Sequence, residues 1–525
     1  MADIPLPPGF TAQKLSQARS AFETALGADK VFFEDLDRHT YEDKFSIDPA
    51  LHLPVGGIAP TSVEEVQAAL KVANQFGMPL WPISRGKNLG YGGTAPVMSG
   101  TLVMDLSRMK KIEFDEQHGN VIVEPGVGFY DLYDFVKKNN LPFWLSVPGN
   151  SWGSVMGNAL DRGVGYTPYG EHTRKICGLE VVMPDGDVVR TGMGAFSNAP
   201  TWQAYPFGFG PAWDQVFVQS NFGIVTKMGL WMMPEPESLM GMDVEFDRPE
   251  DLKAMVDVIG PLRREGLLQQ SPSIGNWLRA AAVLTRRTDW TDEPGALSDS
   301  VIDAIRQRFG IGWWGVSLRL YGREEVNKAA YKVLEREMGA ISPMKLTKTE
   351  WVKGEPVENT PWTGTPVTFP MQNVNWYGGR GGHIGFSPIL PQDGDAALAQ
   401  FKRTYDRYKE YQMDYQGSFA FGERHLTNVN AMIFDKDNPE MMGRIDPFFR
   451  QLVADAKEHG YGEYRTHLDY MDHVAETYDF NGGSLWRLNE KLKDAVDPNG
   501  ILAPGKSGIW GSAARERSGN EETAA

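Results

Sequence analysis

Three stretches of this chain carry side chains able to do chemistry. His383 stands in Gly381-Gly382-His383-Ile384-Gly385-Phe386-Ser387-Pro388, with small neighbours around its imidazole, inside an aromatic-rich segment from Trp376 to Phe386. Ser84-Arg85-Gly86-Lys87-Asn88-Leu89-Gly90-Tyr91-Gly92-Gly93 is a glycine loop of the kind that turns backbone N–H groups toward an anion. Tyr464-Arg465, in Gly462-Glu463-Tyr464-Arg465-Thr466-His467, joins a phenolic donor to a fixed cation, the groups needed to hold an oxyanion. In an apolar cavity such groups favour ionisation of a bound phenol, which makes its para-carbon an electron-rich hydride donor. Taken alone, the pair also fits an exposed surface. The glycine loop also fits an ordinary turn, because Gly86-x-x-x-Gly90-x-Gly92 matches neither a P-loop nor a dinucleotide fingerprint.

The elements around these stretches are mixed α and β. Val55 to Pro60 reads as a strand, and Thr61-Ser62-Val63-Glu64 as a capping box opening an amphipathic helix with Val66, Leu70 and Val72 or Ala73 inward. Leu80 to Ile83 resumes as a strand and runs straight into the glycine loop. Further strands are expected at Thr101 to Leu106 and Val121 to Glu124, and a helix from Phe129. The glycine- and tyrosine-rich segments 157–170 and 208–229 suit tight turns where backbone approaches a ligand. After Met232-Met233-Pro234-Glu235-Pro236 the pattern turns to helices at 251–259, 298–308 and 324–337, which places a boundary near 237. A last helix from Leu485 to Val496 stops at Asp497-Pro498-Asn499-Gly500. Ala503 to Gly508 then forms a second glycine-lysine loop placed to return to the first domain.

At 525 residues two domains are expected. The 68 acidic and 52 basic residues leave a net charge of −16, which opposes nucleic acid and anionic membranes as partners. The single cysteine, Cys177, rules out an internal disulfide and two-cysteine zinc or redox motifs, and reads as a small buried residue. No His-x-x-x-His pattern occurs, so no metal site is expected; His467, Asp469 and His473 read as a solvated helix face. Hydrolysis is not expected: Gly153-Ser154-Val155-Met156-Gly157 has the wrong spacing for a serine elbow, and the Gly-x-Ser-x-Gly spacing of Gly149-Asn150-Ser151-Trp152-Gly153 has no expected strand leading into it. The N-terminus lacks a basic region followed by an apolar core, and no apolar run spans a bilayer, so a cytoplasmic protein is expected.

From about residue 40 to 511 the chain resembles the vanillyl-alcohol oxidase family of flavoproteins, especially its bacterial eugenol-oxidase and 4-alkylphenol-oxidase branch. The resemblance rests on Gly90-Tyr91-Gly92-Gly93-Thr94-Ala95-Pro96, Asp161-Arg162-Gly163-Val164-Gly165-Tyr166-Thr167-Pro168-Tyr169-Gly170, Gln219-Ser220-Asn221-Phe222-Gly223-Ile224-Val225-Thr226-Lys227, and the run from Asp497 to Gly508. Only 265–370 is poorly matched. The resemblance implies an α+β, two-domain fold of the vanillyl-alcohol oxidase and p-cresol methylhydroxylase type. Residues 1–236 would begin the FAD-binding domain, 237–461 form an α+β cap over the substrate, 462–511 return to the first domain, and 512–525 form a disordered tail. It implies FAD attached covalently through His383, with Tyr377 as the competing tyrosine. Ser84, Arg85, Gly86, Lys87, Asn88, Gly90, Gly92, Ser154, Asn158, Gly165, Tyr166, Ile224 and Lys506 would hold the cofactor. Tyr91, Tyr464 and Arg465 would bind the substrate phenolate.

The chain departs from that pattern at one point. Where the oxidases carry a Pro-Asp pair whose aspartate sits beside flavin N5, this chain has Pro148-Gly149. The methylhydroxylase branch uses a cap glutamate instead, and the matching position here is Ser418; two adjacent histidines of the oxidases are Thr427 and Asn428. Glu423 and His425 are candidates for the missing base, a structural role being open for each. The implied activity is oxidation of para-substituted phenols (4-alkylphenols, 4-allylphenols, 4-hydroxybenzyl alcohols) through a p-quinone methide, with O2 reduced to H2O2, by a homodimer or higher homo-oligomer. The alternatives are a methylhydroxylase-type dehydrogenase passing electrons to a cytochrome, and a non-catalytic flavin- or phenol-binding protein. A sugar oxidase on the same fold gives no reason for Tyr91, Tyr464 and Arg465 to coincide.

Overall fold

A computed structural model describes residues 5–518. The first half is built on two sheets. Val31–Phe32, Gly56–Ile58, Leu102–Asp105 and Leu80–Ile83 lie side by side in that order, the last three parallel. Five antiparallel strands follow, ordered Ile112–Asp115, Asn120–Val123, Ile224–Trp231, Ile176–Val182 and Val188–Arg190. Helix Val63–Phe76 packs on the four-stranded sheet through Val66, Ala69, Leu70, Val72 and Ala73, all buried, so both inward alternatives at the third position are realised. Its cap lies one residue later than the sequence pattern predicts. Ser62 accepts from Glu65 N–H, and the Glu65 carboxylate reaches back to Thr61, because the backbone turns helical only at Val63.

The second half is an eight-stranded antiparallel sheet. Its path runs Lys345–Val352, Ser238–Phe246, Trp314–Gly322, Ser273–Asn276, Gly417–Phe421, His425–Asp435, Gly381–Phe386, with Ile389–Pro391 also paired to His425–Asp435. Helices Asp251–Arg264, Glu324–Gly339, Gly394–Glu410 and Pro439–Glu458 bury Leu252, Leu334, Phe401 and Phe448 in the large core this sheet shares. Near the C-terminus, Leu80 N–H donates to Ile501 O and Ala503 N–H to Leu80 O, both at 2.7 Å, which lays the returning chain along the strand that leads into the glycine loop.

Two expectations fail. Residues 512–518, expected in a disordered tail, form helix Ser512–Ser518, with Ala514 buried and Ser512 bonded to Asp494; residues 519–525 lie outside the described part. His467 lies on no solvated face. It is fully buried, its Nε2 2.7 Å from Asp43 and its Nδ1 3.0 Å from Asp469, and Asp469 also meets His52 at 2.6 Å. Asp43 and His52 lie more than 400 residues before His467 and Asp469, so no local pattern reveals the cluster. No group of side chains among the described residues could hold a metal ion, and no described helix is long and apolar enough to cross a membrane. Cys177 is buried, and burial pushes its thiol up to about 12.

Candidate active site

A cavity of about 500 Å³ runs between the two halves. Its lining brings together Ser84, Gly86, Lys87, Asn88, Tyr91, Gly92, Gly149, Ser154, Asn158, Tyr166, Ile224, His383, Tyr464, Arg465 and Lys506, the residues the sequence places at a cofactor and substrate site. Glycine is needed here for clearance. A Cβ at Gly90 (φ +84°) would lie 2.5 Å from His383 Nε2, and one at Gly385 would lie 2.7 Å from the Tyr91 hydroxyl. The glycine loop and the His383 strand therefore interlock, each supplying the gap the other's side chain fills.

His383 sits on strand Gly381–Phe386, opposite Ile433, with Phe45 edge-on at 5.2 Å. Burial, helped by the nearby His467 cation, pushes its imidazole down to about 4, so it is neutral, and its Nδ1 has no hydrogen-bond partner. His467 behaves oppositely: burial works against its charge, but Asp43 and Asp469 overcome it and raise it to about 9.

The strand that carries His383 is joined directly to the loop that carries Tyr464 and Arg465. Pro388 and Glu463 form a bridge, Ile389 N–H donates to Gly462 O at 3.0 Å, and Ser387 N–H donates to the buried Glu463 carboxyl at 2.5 Å. The Arg465 guanidinium lies 3.8 Å from the Tyr91 ring centre and 5.8 Å from that of Tyr464. Burial opposes its charge, yet Tyr464, Tyr91 and Asp161 together hold its affinity for the proton above normal. Burial also raises Tyr464 well above its ordinary value, so it stays a neutral O–H donor. Asp161 fixes the group: Arg465 Nη1 donates to its carbonyl at 3.2 Å and lies 3.7 Å from its carboxylate, Lys506 Nζ is 3.5 Å away, and Asn88 donates at 2.9 Å. Asp161 belongs to a quoted motif, but its role in holding Arg465 spans 304 residues and is invisible in the sequence.

Several proposed residues fall elsewhere. Arg85 does not line the cavity; it donates to Asp131 at 2.6 Å and to Gly126 O at 3.1 Å, tying its loop to the following helix. Gly90 and Gly165 also lie outside the lining, Gly90 against His383 and Gly165 against Ser146 and His172, where a Cβ would clash. Glu423 is exposed and paired with Arg174 at 2.6 Å, and His425 packs against Gly422, so neither reaches the cavity as a base. Ser418 is buried in the cap sheet, its hydroxyl 3.4 Å from Val429 O. Tyr377 is half-buried outside the lining, its oxygen accepting from Asp414 N–H at 2.7 Å. Gly149 does line the cavity, and a Cβ there would stand 3.0 Å from the Tyr166 hydroxyl and 3.7 Å from Pro370.

The FAD binding domain family matches residues 54–192, and the C-terminal domain of FAD linked oxidases matches residues 318–507. Those matches make the chain an FAD-linked oxidoreductase. It is 37% identical over 517 residues to the 4-cresol dehydrogenase [hydroxylating] flavoprotein subunit of Pseudomonas putida, covering 96% of this chain and 97% of that one. A solved structure of 4-ethylphenol oxidase from Gulosibacter chungangensis superposes with a TM-score of 0.92 at 34% identity (97% and 99% of the chains). One of p-cresol methylhydroxylase with substrate bound superposes with 0.91 at 35% (96% and 99%). The chain belongs to the vanillyl-alcohol oxidase and p-cresol methylhydroxylase family, and FAD is its cofactor. The cavity suits that group. Its walls are loop backbone cleared by glycine, Ser154 caps the short helix Val155–Leu160 at its edge, and the buried Ser220 Oγ and His383 Nδ1 are unpartnered.

Proposed function

We propose that the protein oxidises para-substituted phenols at the benzylic carbon and is an oxidase that returns the electrons to O2 as H2O2. One observation carries this reading: a buried guanidinium 3.8 Å from the Tyr91 ring, beside neutral Tyr464, in the cavity that His383 also lines. When bound, FAD supplies the two-electron chemistry by accepting a hydride. Tyr91 and Tyr464 donate hydrogen bonds to the phenol oxygen, and Arg465 supplies the positive charge that lets it ionise in a dry cavity. Asp161 keeps the guanidinium turned toward that oxygen. The substrate is left as a p-quinone methide, whose return to a phenol requires either added water or a lost proton.

Ser84, Gly86, Lys87, Asn88, Gly92, Ser154, Asn158, Ile224 and Lys506 are the residues we assign to FAD, with 1–236 and 462–511 around it and 237–461 as the cap. We place the covalent attachment on His383, whose neutral imidazole has a free nitrogen, and not on Tyr377, which faces away. A homodimer is the assembly we propose, in keeping with the exposed aromatics Phe196, Tyr205, Phe207, Phe209 and Trp213.

The test is anaerobic bleaching of the bound flavin by 4-ethylphenol, followed by admission of air. Rapid recolouring with stoichiometric H2O2 supports the oxidase. Recolouring by an added c-type cytochrome but not by air turns the reading to the dehydrogenase, which the likeness to the 4-cresol dehydrogenase subunit favours. No bleaching by any 4-alkylphenol removes both. Acid-precipitated wild type should stay yellow, and His383→Ala should release its colour to the supernatant; wild type that releases all its flavin overturns the attachment.

A further inference from the structure

The main cavity shares Tyr166, Arg279, Pro370 and Asn373 with a second cavity of about 380 Å³ that lies along the cap sheet. Arg279, on the short helix Trp277–Ala281, is the unused group at this junction. It takes part in no ion pair among the described residues, and its hydrogen bond to Ser273 Oγ is stretched to 3.5 Å. The one acid lining the main cavity, Asp161, is already committed to Arg465 and Lys506. The second cavity is lined by two acids, Asp243 and Glu245, and both are engaged: Asp243 accepts from Ser317 and pairs with Arg319, and Glu245 accepts from Gly312 N–H.

A second, independent observation lies in the same cavity. Gln416 is 3% exposed, and its Nε2 has no hydrogen-bond partner, although its Oε1 accepts from Asn373 Nδ2 at 2.9 Å. The Asn373 oxygen is also unpartnered. Whichever way the two amides are turned, their pairing leaves one N–H donor free at this wall. An unmatched buried donor and an unpaired guanidinium lining one cavity are the complement of a carboxylate.

We propose that Arg279 is a specificity residue that takes the acid terminus of a phenol whose para side chain ends in a carboxylate, a 4-hydroxyphenylalkanoate, with the free amide donor of the Asn373–Gln416 pair as its second contact. This rests on the phenol-oxidising reading above. The phenol oxygen is held at Tyr91, Tyr464 and Arg465, and the side chain runs past Gly149 and Pro370 toward the second cavity. A guanidinium left in water gains little from a carboxylate. Covered by the ligand and flanked by a buried amide, it gains the strength of a charge-assisted hydrogen bond.

The test uses the flavin-loaded enzyme and two phenols with an oxygen at the para position and therefore no benzylic hydrogen to lose. They are (4-hydroxyphenoxy)acetate and its neutral counterpart 4-ethoxyphenol, with Kd read by calorimetry or by perturbation of the flavin spectrum. Arg279→Gln, an exposed change, should weaken the acid about tenfold and leave 4-ethoxyphenol within about twofold, and Gln416→Leu should weaken the acid by about threefold. In turnover, kcat/KM for 3-(4-hydroxyphenyl)propanoate relative to 4-propylphenol should fall about tenfold in Arg279→Gln, chiefly through KM. Equal loss for both ligands, or no loss for the acid, overturns the proposal. If 4-ethylphenol bleaches the flavin while the acid is indifferent to position 279, this inference alone fails. If no phenol binds or bleaches, the underlying reading fails with it.

Discussion

The wall of the cavity that carries Tyr91, Tyr464 and Arg465 and the wall that carries Gly149, Tyr166 and Pro370 enclose one space with different means. The first is dense with charge held by charge: Arg465 on Asp161, Lys506 on the same carboxylate, and Asp43, His467, Asp469 and His52 behind His383. The second has a glycine, a proline and one phenolic hydroxyl, and no base. On the function proposed above, one wall serves to create and hold an anion, while the other leaves the oxidised substrate without a group to activate water. The first step of the chemistry is thus strongly determined by the protein and the second is left to the substrate.

The sharpest way to break the contrast is to remove the charge. Arg465→Ala should lower the rate of flavin reduction by 4-ethylphenol by at least about two orders of magnitude, as loss of an oxyanion donor does elsewhere. Anaerobic stopped-flow measures it, and an unchanged rate would show that the first wall does not stabilise the phenolate. Para-methoxy ethers of the same substrates, which cannot ionise, should leave the flavin oxidised.

Gly90→Ala tests the interlock. It adds a Cβ against His383 Nε2 at a left-handed backbone position, which should cost about 1–3 kcal/mol. Covalently bound flavin should fall together with thermal stability, and full attachment at wild-type Tm would mean the contact is slack.

The second wall is sharpened by giving it a base. Wild type should convert 4-ethylphenol largely to 4-vinylphenol, because proton loss needs no activated water. Gly149→Asp should move the ratio toward alcohol only weakly, since its Cβ meets the Tyr166 hydroxyl at 3.0 Å; adding Tyr166→Phe should enlarge the shift severalfold. Product analysis by chromatography decides it. Alcohol as the sole wild-type product would require an activating group other than Glu423 and His425, which lie outside the cavity.

The smallest effect concerns pH. His467 is raised from 6.5 to about 9 in the folded protein, so its bound proton stabilises the fold fully below pH 6.5, and that contribution is lost as pH rises toward 9. Tm should therefore decline across that window more steeply in wild type than in His467→Gln. Parallel profiles would assign the decline to other groups.

Much of the first wall was legible because its residues are chemically conspicuous and sit in runs: a histidine among glycines, a tyrosine-arginine pair, a glycine loop following a strand. Arg85 was misread for the same reason, since proximity in sequence to the loop says nothing about Asp131, 46 residues away, which holds it. Glu423 and His425 were drawn in by closeness in sequence to the cap strands, but Glu423 lies in the exposed turn between Gly417–Phe421 and His425–Asp435 and His425 at the start of the second strand, away from the cavity. The His467 cluster escaped because its partners at 43 and 52 are more than 400 residues distant. The order of the cap strands escaped too, as pairing between distant strands leaves no local pattern beyond alternation. The domain that resembles known flavoproteins only weakly along 265–370 is also where Arg279 lies, and no motif marked it.

The bridge between Pro388 and Glu463 gives the site a single ruler. His383 and the Tyr464-Arg465 pair lie about eighty residues apart in sequence, but their spacing is set by adjacent backbone hydrogen bonds. Because Arg465 is also held by Asp161 and the Tyr464 carbonyl by Gln219, the same bridge pins the strand of His383 to the first half of the chain, as a rivet through two plates, so a swing that separated them would have to break it.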